Sequence, residues 1–254
     1  MKFSTCLSAL LALSALLPAA GHAAEITRID ARTLHFEGGI ERGDAARLAQ
    51  MLTPGTTLLK VHSAGGSSEE GILLGRIIHA RHLDLEIDRG CGSSCANYMF
   101  PAARHKTIPP GAVLAYHGTM YLTDLAGEKN LREQLTAGGI PPAEVEKQVP
   151  GLLANNKRIA KMESEFTAEI GVNPQFYRDF RTVAEQGDAL EAQYKAQQPD
   201  FLWWPSARRL AQCYGIRDVN DQGRPAQLDS VGHFLEAKRN LLLVGDQALP
   251  ACAG

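Results

Sequence analysis

Residues 56–80, "TTLLKVHSAGGSSEEGILLGRIIHA", decide the fold. The first half is β-branched and aliphatic and reads as a strand running into Gly65-Gly66. The second half reads as a helix with Ser67 or Ser68 at its N-cap. Glu69 and Glu70 then lie at the positive end of the helix, where solvated carboxylates complement its dipole. Similar units flank this one. Upstream, "RTLHFEGGI" (32–40) alternates like a strand and ends in a glycine pair. "RGDAARLAQML" (42–52) follows with Ala45, Leu48, Met51 and Leu52 at helical spacing and Asp44 in the first turn. Downstream, "LDLEID" (83–88) alternates strictly, "SSCANYMF" (93–100) reads as helical, and "GAVLAYHG" (111–118) is a fourth strand. Strand, helix, strand, helix, strand, helix, strand predicts an α/β domain with parallel strands.

Past His117 the character changes. Residues 141–172 are long, polar and helix-prone, with Ile159, Met162, Phe166 and Ile170 on one face. "NPQFYRDFRTVAEQ" (173–186) reads as another helix with Pro174 in its first turn. Residues 187–200 are Gln-rich and carry no clear period. "PSARRLAQCYGIRDVND" (205–221) reads as a capped helix stopped by Gly215 and followed by a short strand. The expectation is one domain over 24–254, with a helical excursion at about 128–200.

The 254 residues are 44% hydrophobic and 21% charged with a net charge of −2, which excludes a disordered chain. No dense Lys/Arg cluster supplies a nucleic-acid footprint. The N-terminus, "MKFSTCLSALLALSALLPAAGHAAE", has Lys2 as its one charge before Glu25, then an apolar run, then small residues. That is the pattern of a secretory signal peptide over 1–23, cut after Ala23 or Ala24. Its apolar run is short of the roughly 20 residues a membrane span needs. An exported protein, periplasmic or secreted and without a stable membrane anchor, is expected.

Export sets how the cysteines read. Cys91, Cys95, Cys213 and Cys252 remain after the signal, and an even number in an oxidising compartment reads as two disulfides. Four cysteines allow three connectivities, which sequence alone does not choose among. Cys91–Cys95 with Cys213–Cys252 is favoured, since it spares each a distant partner. A zinc site would need a second close pair or nearby histidines. A thioredoxin-like site would need C-x-x-C, not C-x-x-x-C. His35, His79, His82, His105 and His233 lack carboxylate or cysteine partners at ligand spacing, so no metal is expected.

Three pieces carry candidate chemistry. "HSAGGSSEEG" (62–71) places glycines at a strand end, where backbone N–H groups can approach a ligand. Ser94 lies in "DRGCGSSCANYMF" (88–100), between a strand end and a helix start, and His117 stands near the end of the next strand. A serine hydroxyl needs a positioned imidazole to take its proton, and the resulting oxyanion needs preorganised donors. Each piece also has a bland reading. Ser94 could be a helix N-cap, His117 a core histidine, Gly65-Gly66 a turn, His62 an idle strand side chain, and Trp203-Trp204 core.

In this order the pieces resemble the Clp protease proteolytic subunit and the wider Clp/crotonase superfamily. Ser63-Ala64-Gly65-Gly66 stands where that family has an S-P-G-G turn. Ser93-Ser94-Cys95-Ala96 matches its nucleophile turn, and Tyr116-His117-Gly118 its histidine strand. The similarity runs from about Arg32 to Gly118 and resumes at "SARRLAQCYGIRD" (206–218), about two thirds of the mature chain. It implies an α/β spiral of repeated strand–helix units and a serine peptidase or related hydrolase. Ser94 is then the nucleophile and His117 the base and acid, with the Gly66 and Cys95 N–H groups as oxyanion hole. Cys91 and Cys95 would brace the nucleophile turn. Asp200 is the carboxylate nearest the family's triad aspartate, a few residues out of frame; Asp179, Glu163 and Glu165 are the other orienting carboxylates. Cys95 replaces a methionine and Ala64 a proline, and no Ser–Lys dyad motif is present. The resemblance implies no cofactor, a peptide or unfolded-polypeptide substrate and a homo-oligomer. A non-catalytic binding or assembly module on the same fold is the alternative.

Overall fold

Strand β3, Leu58–Ser63, alternates aliphatic with polar residues and buries Leu59, Val61 and Ser63 on one face. In the computed structural model it is flanked by two parallel strands, β2 (Thr33–Glu37) and β4 (Asp84–Gly92). The structure describes residues 24–194, 200–226, 228, 230–234, 239–247 and 249–252. Residues 1–23, read from the sequence as a signal peptide, lie outside them.

The main sheet runs β1 (Glu25–Arg28), β2, β3, β4, β5 (Lys106–Ile108) and β8 (Val219–Asp221). Only the β1–β2 pair is antiparallel. β4 is long enough to serve two neighbours. Its start pairs with β5 through Leu85 and Glu86, and its end pairs with β6 (Val113–Ala115) through Gly90, Cys91 and Gly92. The mixed α/β architecture with a mostly parallel sheet agrees with the sequence expectation. β1 and β5 are additions, each too short to carry a legible alternation.

Helix α1 (Asp44–Met51) packs on β1 and on α2 (Ser68–Ala80), and α2 packs on the short α3 (Phe100–Ala102). The Ser67 hydroxyl accepts from the Glu70 N–H and is the N-cap of α2. Glu69 follows expectation at the surface, ion-paired with Arg158. Glu70 does not. It is buried and accepts the N–H groups of Gly43 (3.1 Å) and Ala45 (2.8 Å), capping its neighbour α1 as well as lying in its own first turn.

The helical stretch begins at Met120 and comprises α4 (Met120–Ala137), α5 (Pro142–Glu169) and α6 (Gln175–Gln193). α5 buries Ile159 and Phe166 on the expected face, with Met162 and Ile170 half-buried. Pro174 stands just before α6, which carries the periodless segment on to Gln193. A second sheet, β7 (Asp200–Trp203), β10 (Arg239–Val244) and β9 (Ser230–Phe234), follows with α7 (Ala207–Tyr214) between β7 and β8. Trp203 and Trp204 are fully buried core residues. Cys91–Cys95 and Cys213–Cys252 are the disulfides, with Cα separations of 5.3 and 5.2 Å. No helix among the described residues is long and apolar enough to cross a membrane.

Candidate active site

The site grows out of an irregularity between β3 and β4. Val61 pairs with Ile87 but Ser63 pairs with Cys91, so β4 gains two residues over β3 before the turn. The extra length lifts Gly92-Ser93-Ser94 over the end of β3. Ser93 takes a left-handed conformation at φ +52°, a state that costs a non-glycine residue about 1–2 kcal/mol. Ser93 N–H donates to Ala115 of β6 at 3.1 Å, fixing the turn to the next strand. The chain then enters a π-helical turn, Cys95–Met99, a geometry that concentrates at functional sites. The Cys91–Cys95 disulfide spans the turn from strand to helix.

Glycine is required opposite this turn. A Cβ on Gly65 (φ +95°) would lie 2.5 Å from Ser93 Cβ and 2.8 Å from Ser94 N. A Cβ on Gly66 (φ +145°) would lie 2.3 Å from the Ile40 carbonyl oxygen. The Gly65 carbonyl accepts from Ile40 N–H and Ser67 N–H donates to the Ile40 carbonyl, both at 2.8 Å. That bridge turns the edge of Gly66 carrying its own N–H and C=O the other way, toward Ser94. The Ser94 hydroxyl donates to the Gly66 carbonyl at 2.8 Å and lies 3.5 Å from the Ser68 hydroxyl. Ser94 stands at the N-cap of the π-helical turn, yet its side chain makes no capping bond. The Cys95 N–H opens the same turn, where helical donors have no intrahelical acceptor.

His117 follows β6 and is exposed, so it is not a core histidine. Its segment is held from three sides. Tyr116 exchanges two backbone hydrogen bonds with Trp203 of β7, at 2.9 and 2.7 Å. Asn97 Nδ2 donates to the Gly118 carbonyl at 2.6 Å. The Glu163 carboxylate accepts the N–H groups of Met120 (3.3 Å) and Tyr121 (2.7 Å) at the start of α4. Asp200 heads β7, the strand that bridges to Tyr116.

The other carboxylates have separate employment. Asp179 is buried against Arg209 (2.6 Å) and the Tyr214 hydroxyl (2.7 Å), fastening α6 to α7. Glu165 lies at the surface, 3.6 Å from Lys161. Glu163 is 1% exposed and also accepts the Tyr98 hydroxyl at 2.8 Å. Burial pushes its carboxyl up to about 7, against the pull of those hydrogen bonds. A small cavity beside it is lined by Ala96, Asn97, Tyr116, Thr167 and Tyr177. Among the described residues, Tyr116 Oη and Asn97 Oδ1 have no hydrogen-bond partner.

The sequence assigned no role to Asn97 or Tyr98 and read Ser68 only as an N-cap candidate, a place that Ser67 takes. Asn97 had a signal, a lone amide inside the apolar run "CANYMF" (95–100) that had to be buried and bonded. His35, read as lacking carboxylate partners along the chain, lies 3.6 Å from Asp88 in space. No cluster of three or more His, Cys, Asp or Glu residues with metal-binding geometry occurs among the described residues.

No family model and no curated protein matches the chain. Solved structures similar to it include an enoyl-CoA hydratase from Mycobacterium avium, at 13% identity and a TM-score of 0.31, covering 67% of this chain and 91% of that one. A probable enoyl-CoA hydratase/isomerase from Mycobacterium abscessus shares 8% identity, with a TM-score of 0.31 and coverage of 67% and 90%. A structure from a dehydratase/decarboxylase enzyme couple involved in polyketide beta-branching shares 12%, with a TM-score of 0.29 and coverage of 67% and 93%. The site is therefore read from the chain's own geometry.

Proposed function

We propose that the protein is an exported serine hydrolase of the Clp/crotonase type, acting on peptides or unfolded polypeptide. Ser94 attacks a carbonyl carbon, His117 handles the proton, and the Gly66 and Cys95 N–H groups receive the oxyanion. The observation that supports this most is the opposition of Ser94 and Gly66. A serine on a strained turn, with no capping duty, faces a backbone edge that only glycine can present so closely. Hydroxyl and donor are thereby adjacent before substrate arrives, which is the preorganisation acyl transfer needs. Rotation of the Ser94 hydroxyl away from the Gly66 carbonyl frees it for attack. Asp200 is the proposed orienting acid for His117, on the strand that carries Trp203.

A non-catalytic binding module is the second reading. It is favoured by the Ser94 proton being committed to a backbone carbonyl. Treatment of the purified protein with a fluorophosphonate probe separates the two. The hydrolase reading expects covalent labelling that is abolished in Ser94→Ala and slowed at least about 100-fold in His117→Ala. A folded wild type that does not label, or a Ser94→Ala variant that labels equally, supports the binding module instead.

A further inference from the structure

A cleft opens at the other end of the main sheet from Ser94. Ser94 stands just past the end of β4, whereas Lys106 of β5 pairs with Leu85 near its start. At about 3.3 Å per strand residue the two are on the order of 20 Å apart. The cleft has a volume of about 180 Å³ and is bordered by His79, His82, Arg104, Lys106, Arg217 and Asp218.

Lys106 is the unusual member, at 4% exposure. An ammonium has three donors, and two go to the carbonyls of Ala103 (2.6 Å) and Arg217 (2.9 Å). Both acceptors are neutral. Asp218 borders the same cleft and attracts the ammonium without hydrogen-bonding it. Burial therefore prevails and pulls Lys106 down to about 8. Buried charges are ordinarily paired, because an unpaired one is costly to desolvate. We propose that this cleft binds a small oxyanion, a carboxylate or a phosphate group, with Lys106 as the central contact and Arg217, His79 and His82 as flanking donors. Such a site stands whether or not Ser94 is a nucleophile.

Structural duties do not account for the basic rim. Basic groups near the end of α2 would serve its free carbonyls. The carbonyls of Ile77, Ile78 and His79 already accept the N–H groups of Arg81, Leu83 and His82. The His79 and His82 rings, 6.5 Å apart between centroids, thus form one edge with no capping task. Arg104 is different, since its Nε and Nη2 hold Asp84 at 2.9 and 3.0 Å. It contributes wall rather than charge. Lys106 and Arg217 against Asp218 still leave a positive excess before either imidazole is protonated.

Backbone geometry sets the same place apart. Among the described residues, non-glycine left-handed backbone occurs at Ser93, beside the candidate nucleophile, and at His82 (φ +50°) and Asp218 (φ +56°), both on this cleft. Such strain concentrates where side chains must be aimed. The volume falls below the roughly 300 Å³ at which pockets for drug-sized ligands begin. The ligand is therefore a free small anion or the anionic end of a molecule that extends into solvent. Carboxylate and phosphate oxygens both form charge-assisted bonds with ammonium and guanidinium groups.

The test is isothermal titration of the purified protein with inorganic phosphate and, separately, with succinate, at constant ionic strength set by sodium chloride. One saturable site with a Kd below about 5 mM is expected for at least one of them. The tighter ligand tells whether phosphate or carboxylate is preferred. Arg217→Gln changes an exposed side chain, so the fold is retained, and binding should weaken at least about threefold. Lys106→Met should abolish binding. A Kd above about 5 mM for both anions overturns the site. Arg217→Gln binding within about threefold of wild type, or a folded Lys106→Met that still binds, overturns it equally.

Discussion

Asn97 Nδ2 donates to the Gly118 carbonyl at 2.6 Å, tying the helical turn that begins beside Ser94 to the segment that carries His117. The two candidate reacting groups come from different strand–helix units, and this bond spans them directly. Asn97→Ala should leave the Gly118 carbonyl without its donor. The expected cost is about 1–2 kcal/mol of stability in urea unfolding, with labelling of Ser94 slowed at least about tenfold. An Asn97→Ala variant that labels at the wild-type rate would show that the tie does not position His117.

Gly65 and Gly66 should not tolerate even a methyl group. Gly65→Ala drives a Cβ into Ser93 and the Ser94 amide, and Gly66→Ala drives one into the Ile40 carbonyl, both at positive φ. Each should lose about 2 kcal/mol or more and abolish labelling. The control is Gly118→Ala, where a Cβ meets nothing within 4 Å and φ is not left-handed. Thermal melts of the three variants check the contrast.

Glu163 should impose a pH dependence on stability. Its carboxyl is pushed up to about 7 in the fold, from 4.5 in the ordinary case. Between those values the folded chain binds a proton that the unfolded chain has lost. Stability therefore falls as pH rises through that window, by roughly 3 kcal/mol, and levels off above about 7. Glu163→Gln cannot titrate and should remove that fall. Urea unfolding at pH 5, 6, 7 and 8, wild type against Glu163→Gln, reads the difference.

The two disulfides should separate stability from site geometry. Cys213–Cys252 closes a separation of 39 residues and Cys91–Cys95 one of 4. On loop-closure entropy alone, removing the first should cost about 4 kcal/mol and removing the second about 2 kcal/mol. The second spans the Ser94 turn, so Cys91→Ser with Cys95→Ser should lose labelling out of proportion to its smaller loss in melting temperature.

The sheet was legible where strands are long enough to alternate. β2, β3 and β4 carry their period openly, and the Gly65-Gly66 turn announced a close backbone approach that the Ser93 contact explains. β10 was passed over because Leu241, Leu242, Leu243 and Val244 are all buried, leaving an apolar run with no period to read. Glu70 shows a different limit. An acid in a first helical turn satisfies the dipole whether it faces water or a neighbouring helix, and only the packing of α1 on α2 decides. The same holds for Glu163, whose partners Tyr98 and Tyr121 lie 65 and 42 residues away in the chain. Local pattern has no access to such a meeting.

The most direct test of Ser94 as an activated nucleophile is peptide mapping by mass spectrometry after fluorophosphonate treatment of the intact, oxidised protein. A single phosphonyl adduct on Ser94 is expected, with Ser68 and Ser93 unmodified. An adduct on another residue, or none on a protein that remains folded, would contradict it.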